Sequence, residues 1–160
     1  IYWYVYLPTT HKNSQVLGVV GGTVGLFEQS TVEVTDELLD AYRNQGGFDL
    51  LGRSRDSIRT ESELAKAKEA CAALDLDGLV VIGGNTTATD AAYLSEYFHT
   101  AGIKTSVACV PCTISGGMKN NFVESAVGFD TAVKVYSQLV GNTAIDGASA
   151  RKYWYFMRLM

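Results

Sequence analysis

Residues 77–98, DGLVVIGGNTTATDAAYLSEYF, decide the fold. Asp77–Ile82 is a short β-branched, apolar run, the pattern of a buried strand. Gly83-Gly84-Asn85-Thr86-Thr87 reads as a loop. Ala88–Thr100 places Ala91, Leu94 and Phe98 at helical spacing, and Gly102 closes that helix. Thr105–Val110 is the next apolar strand. A strand, a helix of a dozen or so residues and a second strand make a βαβ unit with parallel strands.

The rest of the chain extends this pattern. Pro111–Asn121 (PCTISGGMKNN) comes after the second strand with small residues, hydroxyls, two glycines and one lysine. Ala126–Ile145 has helical spacing with Gly141 as its weak point, and Ala148–Met160 reads as a final aromatic strand. Upstream, Val16–Val20 reads as a buried parallel strand running into Gly21-Gly22, with Gly25-Leu26 in the turn beyond. Thr35 is placed to cap a helix whose first turn holds Asp36 and Glu37, and Gly46-Gly47 stops it. Phe48–Arg55 is a short apolar piece ending in arginines. Thr60 and Glu63 form a capping box before an Ala- and Lys-rich helix to about Ala73. The expectation is an α/β fold, a Rossmann-like parallel sheet with helices on both faces. Ligands of such sheets bind beyond the carboxyl ends of the strands, where both glycine loops fall.

Composition narrows the function. The 160 residues are 47% hydrophobic and 19% charged, enough for one domain with a core. A net charge of −4 argues against a nucleic-acid binder that neutralises phosphates. No apolar run reaches a membrane span, and Ile1–Leu7 is too short and lacks the flanks of a signal peptide. Three cysteines do not make a secreted disulfide framework, so a cytoplasmic setting is expected. The missing initial Met and the aromatic ends read as a fragment of a longer chain.

Each loop has a functional and a plain reading. Gly83-Gly84 can turn backbone N–H groups toward an anion, or simply form a tight turn with Asn85 or Thr86 as cap. It is not a P-loop, since no Gly-Lys-Ser/Thr comes next. Lys119 is a phosphate partner or a surface lysine. Arg53 and Arg55 clamp a phosphate or form a solvated rim. Cys109 and Cys112 make a lone C-x-x-C. Zinc would need further ligands, and His11 and His99 are unclustered, which leaves a remote redox-switch reading.

Five segments together resemble the pyrophosphate-dependent phosphofructokinase family. They are LGVVGGTVGL (17–26), YRNQGGFDLLGRSRDSIRT (42–60), LDGLVVIGGNTTATDAAYLSEYF (76–98), VPCTISGGMKNNFVESAVGFDTAVKVYSQL (110–139) and ASARKYWYFMRLM (148–160). The resemblance implies that residues 1–160 are a single lobe of a two-lobed phosphofructokinase fold, with its first strand preceding Ile1. The family enzyme uses Mg²⁺ to move a phosphoryl group from pyrophosphate to fructose 6-phosphate in glycolysis.

The resemblance also marks departures. Catalytic members carry Gly-Gly-Asp-Asp where this chain has Gly83-Gly84-Asn85-Thr86, which puts Asn85 at the Mg²⁺ position. They carry Thr-Ile-Asp-Gly-Asp-Leu-Lys-Asn where this chain has Thr113-Ile114-Ser115-Gly116-Gly117-Met118-Lys119-Asn120. Ser115 and Gly117 thus replace the catalytic carboxylates, and a neutral hydroxyl is no unassisted general base. The resemblance leaves Thr113, Ile114, Ser115, Lys152, Tyr153 and Met160 as sugar-phosphate contacts. Gly84, Asn85, Thr86, Arg55 and Lys119 remain for an anion. The expected function is a regulatory, α-type half, without its own catalysis or an assigned metal, paired with a catalytic subunit or domain in an oligomer. An active lobe using ATP or diphosphate is the alternative.

Overall fold

The computed structural model describes residues 13–159, which divide into two compact units. The first comprises the chain up to Leu79 together with Tyr93–Ser106. The second comprises Val80–Ala92 and residues from Val107 onward.

In the first unit, β1 (Leu17–Val19) leads into α1 (Gly22–Phe27) and β2 (Thr31–Glu33). Leu17 pairs with Glu33 and Val19 with Thr31, so β1 and β2 are antiparallel. The parallel strand expected at 16–20 is therefore corrected. A β-branched run encodes a strand but not its direction. Here the segment between the strands doubles back, with Val20 N–H on the Ser30 carbonyl at 2.9 Å and Ser30 N–H on the Gly25 carbonyl at 2.8 Å. Gly25 is buried, and a methyl group there would overlap the Val20 carbonyl oxygen. Only a residue without a Cβ lets α1 come this close to the end of β1.

Two caps form as the residue types dictate. Leu38 N–H donates to Thr35 Oγ1 at 3.3 Å and opens α2 (Asp36–Ala41). This helix stops five residues before Gly46, in turns that include Asn44 at φ +61°. A short α3 (Gly47–Leu51) precedes the arginine segment. Thr60 and Glu63 make a complete capping box at the head of α4 (Glu61–Ala73). The α4 residues Ala67, Ala70 and Cys71 are buried at i, i+3, i+4 spacing, in a core that also holds Leu26, Val34, Ile58, Leu79, Leu94 and Phe98. Burial of Leu94 and of Phe98 contributes about 1.5–3 kcal/mol each. Burial also pushes the Cys71 thiol up to about 11, so this cysteine is an inert packing residue.

The chain continues through β3 (Gly78–Gly83), α5 (Asn85–Thr100), β4 (Ser106–Pro111), a 3₁₀ turn (Gly116–Met118) and α6 (Phe129–Ala150). Gly102 at φ +63° closes α5, as expected, with Ile103 N–H on the Phe98 carbonyl at 2.9 Å. Gly141 does not break α6, because a glycine costs only about 1 kcal/mol inside a helix of this length. The strand expected over 148–160 is also corrected. Ala148–Ala150 complete α6, and Arg151, at φ +48°, ends it. Residues 151–159 have no regular structure. No described strand pairs with them, and an apolar run without a ladder partner does not form a strand. Ile1–Leu7, His11 and Met160 lie outside the described residues.

Two outcomes are expected for the first unit. Gly25→Ala is expected to cost about 1–3 kcal/mol of unfolding free energy, read from the urea midpoint. The Glu63 carboxylate accepts N–H from Arg59 at 3.0 Å and from Thr60 at 2.8 Å. These bonds, the one from Arg59 foremost, hold its pKa below the ordinary 4.5. A depressed carboxylate stabilises the fold above its unfolded pKa, and that contribution is lost as pH falls through the folded value. Glu63→Gln is therefore expected to flatten the fall in urea midpoint between about pH 6 and pH 3.

Candidate functional site

Two strand ends meet at one edge. Ser106 N–H donates to the Asp77 carbonyl at 3.0 Å, and Cys112 N–H to the Gly83 carbonyl at 2.7 Å. The acceptor and the donor advance together along the chain, so β3 and β4 run parallel. Their carboxyl ends bring Gly83-Gly84 beside Cys112-Thr113, within the second unit. The expected loop at 83–87 is shorter than the residues suggested. Only Gly84 separates β3 from α5, and Ala88 N–H already bonds the Gly84 carbonyl at 2.9 Å. The first N–H groups of α5 are thereby presented at the sheet edge, without intrahelical partners.

The two glycines have different jobs. A Cβ on Gly83 would lie 2.6 Å from Thr87 Cβ, so Gly83 is required by packing. A Cβ on Gly84 would sit 3.8 Å from Thr113 Cβ and 3.9 Å from the Cys112 carbonyl oxygen, which is ordinary contact. Packing therefore does not require glycine at position 84, where a side chain would meet Thr113 and Cys112 at ordinary contact.

The loop after β4 is held by its own polar side chains. Its base is closed by Thr113 N–H on the Val127 carbonyl at 3.0 Å and Val127 N–H on the Pro111 carbonyl at 2.8 Å. Thr113 Oγ1 accepts Ser115 N–H at 3.1 Å, and Ser115 Oγ accepts Gly117 N–H at 3.3 Å. Ser115 thus caps the 3₁₀ turn. Further on, Asn120 Oδ1 accepts N–H from Phe122 at 2.7 Å and from Val123 at 3.0 Å. The Asn120 side-chain amide donates to the Met118 carbonyl at 3.4 Å, and its backbone N–H donates to the Val123 carbonyl at 2.9 Å. Sequence reasoning assigns Asn120 no role. The signal is present nonetheless, because an asparagine in a turn bonds the backbone two residues on.

Gly84, Asn85, Thr86, Thr113, Ile114, Ser115, Gly117 and Lys119 all belong to this edge or its loop. Asn85, Thr86, Ser115 and Lys119 are polar residues of that edge, and Lys119 makes no ion pair among the described residues. Lys152 and Tyr153 belong to the exposed segment after α6, where the Lys152 ammonium lies 5.4 Å from the Tyr153 ring centre. Arg55 is exposed and belongs to the first unit, where its neighbour Arg53 stacks 4.5 Å over the Phe48 ring. Met160 lies outside the described residues.

The donors at the edge do not suit Mg²⁺. Neither 83–87 nor 113–121 contains a carboxylate, and no cluster of three His, Cys, Asp or Glu occurs among the described residues. Amide and hydroxyl oxygens alone make a weak magnesium site. Nor does the C-x-x-C form a dithiol. Cys109 lies in β4 and Cys112 continues it, paired with Val127. Extended spacing separates their Cα atoms by about 10 Å, beyond the reach of about 7 Å that a disulfide allows. Burial also raises the pKa of the Cys109 thiol.

Residues 4–160 match the family described as phosphofructokinase. The chain belongs to the phosphofructokinase family. It is 51% identical over 162 residues to the Arabidopsis thaliana pyrophosphate–fructose 6-phosphate 1-phosphotransferase subunit alpha 2, covering 100% of this chain and 26% of that one. It is 44% identical over 155 residues to the Solanum tuberosum beta subunit, covering 97% of this chain and 27% of that one. The chain therefore spans about a quarter of the length of these relatives. The crystal structure of Pichia pastoris phosphofructokinase in the T-state superposes with a TM-score of 0.65 at 19% identity, over 81% of this chain and 15% of that chain. The phosphofructokinase fold, an α/β Rossmann-like lobe, agrees with the expectation from sequence.

The contrast between the glycines is measurable. Gly83→Ala is expected to lower stability by about 1–3 kcal/mol. Gly84→Ala is expected to stay within about 0.5 kcal/mol of the parent in the same denaturation assay.

Proposed function

We propose that this chain is part of a pyrophosphate-dependent 6-phosphofructokinase, as a regulatory lobe that holds a sugar phosphate without catalysing transfer. The observation that carries the reading is the edge between Gly84 and Thr113. Two chain segments converge there, 83–87 and 113–121, with a helix start, hydroxyls and Lys119, yet neither segment has a carboxylate to hold Mg²⁺ or accept a proton. Phosphoryl transfer depends on positioning and on charge neutralisation by metal and cations. Thr113, Ile114 and Ser115 are assigned to the sugar phosphate. Gly84, Asn85, Thr86 and Lys119 are assigned to its anionic group or to that of an effector, and Arg55, in the first unit, is assigned to an anion by itself. Lys152, Tyr153 and Met160 are assigned to a sugar phosphate reached across a subunit boundary. The higher identity to the alpha subunit than to the beta subunit supports the regulatory assignment.

In this reading residues 1–160 form one lobe of a longer cytoplasmic, glycolytic protein, paired with a catalytic subunit in an oligomer. Its surface supports a partner. The 22-residue α6 has no buried residue and exposes Val133, Leu139 and Ile145. Trp154 and Phe156 beyond it are each 92% exposed. Apolar surface of this kind marks a contact with further protein. No helix among the described residues is long and apolar enough to cross a membrane.

The test uses the full-length protein, purified without a catalytic partner. It is expected to give no pyrophosphate-dependent turnover of fructose 6-phosphate. Combined Asn85→Asp, Ser115→Asp and Gly117→Asp is expected to raise turnover with Mg²⁺ by at least about 10²-fold over background. The loop tolerates the change, because aspartate caps a turn as serine does, and a Cβ on Gly117 meets Ser115 Oγ at an ordinary 3.5 Å. Turnover by the unmodified protein would instead make this an active lobe with unusual residues.

A further inference from the structure

We infer that Asn120 is the positioning residue of the sugar-phosphate loop, an inference that rests on the proposed sugar-phosphate role of that loop. The loop leaves the sheet at Thr113 and returns at Val127, and its base is closed by the backbone. Between those points it has no strand partner and no buried side chain, so its shape depends on internal hydrogen bonds. Thr113 and Ser115 fix the first part through one bond each. Asn120 fixes the second part, and it does so from both ends of its side chain. Its Oδ1 gathers the N–H groups of Phe122 and Val123, its Nδ2 reaches back to the Met118 carbonyl, and its own N–H meets the Val123 carbonyl. These bonds tie the 3₁₀ turn to the returning segment.

The consequence reaches Lys119. This residue directly precedes Asn120, and its N–H donates to the Gly116 carbonyl at 3.2 Å. Its backbone is therefore pinned on one side by the 3₁₀ turn and on the other by the Asn120 clamp. A long, exposed lysine positions its charge only as well as its backbone is held, because its side chain is flexible. Asn120 itself contributes no atom to the ligand. It acts by holding the segment that carries Lys119.

The full-length protein is compared with Asn120→Ala and Asn120→Ser. Serine keeps a neutral oxygen that can accept the downstream N–H, as a weaker version of the same turn. Two readouts are taken: hydrogen exchange of the Phe122 and Val123 amides, and the dissociation constant for fructose 6-phosphate. Asn120→Ala is expected to speed exchange at both amides at least about tenfold and to weaken binding by a similar factor, with the melting temperature unchanged. Asn120→Ser is expected to recover at least half of each effect on a logarithmic scale. Unchanged exchange in Asn120→Ala overturns the clamp. Faster exchange with unchanged binding overturns the positioning role. If the parent protein binds no fructose 6-phosphate, the sugar-phosphate reading of the loop fails and the positioning role fails with it. The exchange data then still decide whether Asn120 holds the loop.

Discussion

The parallel register of β3 and β4 is the constraint on which the candidate site depends. Asp77 with Ser106, and Gly83 with Cys112, are hydrogen-bonded in step. Two parallel strands in step must end at the same edge, and the segments leaving their carboxyl ends are brought into contact there. Gly84 and Thr113 are 29 positions apart in the chain, yet a single Cβ would bridge them. A slip of one residue would turn Gly83 and Cys112 to the wrong faces and separate the two segments. The helix between the strands serves the same end. It starts one residue after β3, so the helix opens at the edge rather than at the far side of a loop.

Much of this was legible in the residues, for identifiable reasons. The β3–α5–β4 unit has a β-branched run, helical apolar spacing and a closing glycine, three signals that agree. Thr35 and the Thr60–Glu63 pair were readable as caps because capping depends on a few adjacent residues. Less was legible where structure depends on partners. The direction of β1 is set by the doubling-back of the segment before β2, although β2 itself lies in a β-branched run, Thr31-Val32-Glu33-Val34, that has the pattern of a strand. The 83–87 segment read as a loop because Gly-Gly and a run of threonines are poor helix formers. The helix nevertheless begins at Asn85, where continuation into Ala88–Thr100 outweighs weak propensity in the first turn. The 148–160 run read as a strand because aromatic residues favour strands, but that preference is realised only against a partner.

The site was legible as a set of positions rather than as a geometry. Resemblance brought Gly84, Asn85, Thr113, Ser115, Gly117 and Lys119 together, and parallel pairing supplies the physical reason they meet. It did not distinguish Gly83 from Gly84, which differ only in what a side chain would strike. Nor did it reveal Asn120, whose bonds depend on the turn they create. The lone C-x-x-C was ambiguous in sequence, and strand spacing resolves it, since three residues of extended chain hold the two sulfurs apart.

On the proposed reading, the loop also explains how catalytic carboxylates can be absent without loss of the frame. At position 115 the fold needs an oxygen that accepts the N–H of residue 117, and a serine hydroxyl does this as a carboxylate would. At 117 it needs nothing from the side chain. At 85 the residue opens a helix, where asparagine and aspartate differ mainly in charge. None of the three positions is buried, so replacing a charged group with a neutral one there leaves no cavity and strands no polar atom. The groups needed for phosphoryl transfer and the groups needed for the loop are therefore separable at these positions. The chemistry can be removed while Asn120, Thr113 and the register of two strands keep the same edge in place. On the proposed reading such an edge still recognises an anion, because recognition would draw on backbone N–H groups and a lysine that the substitutions leave untouched.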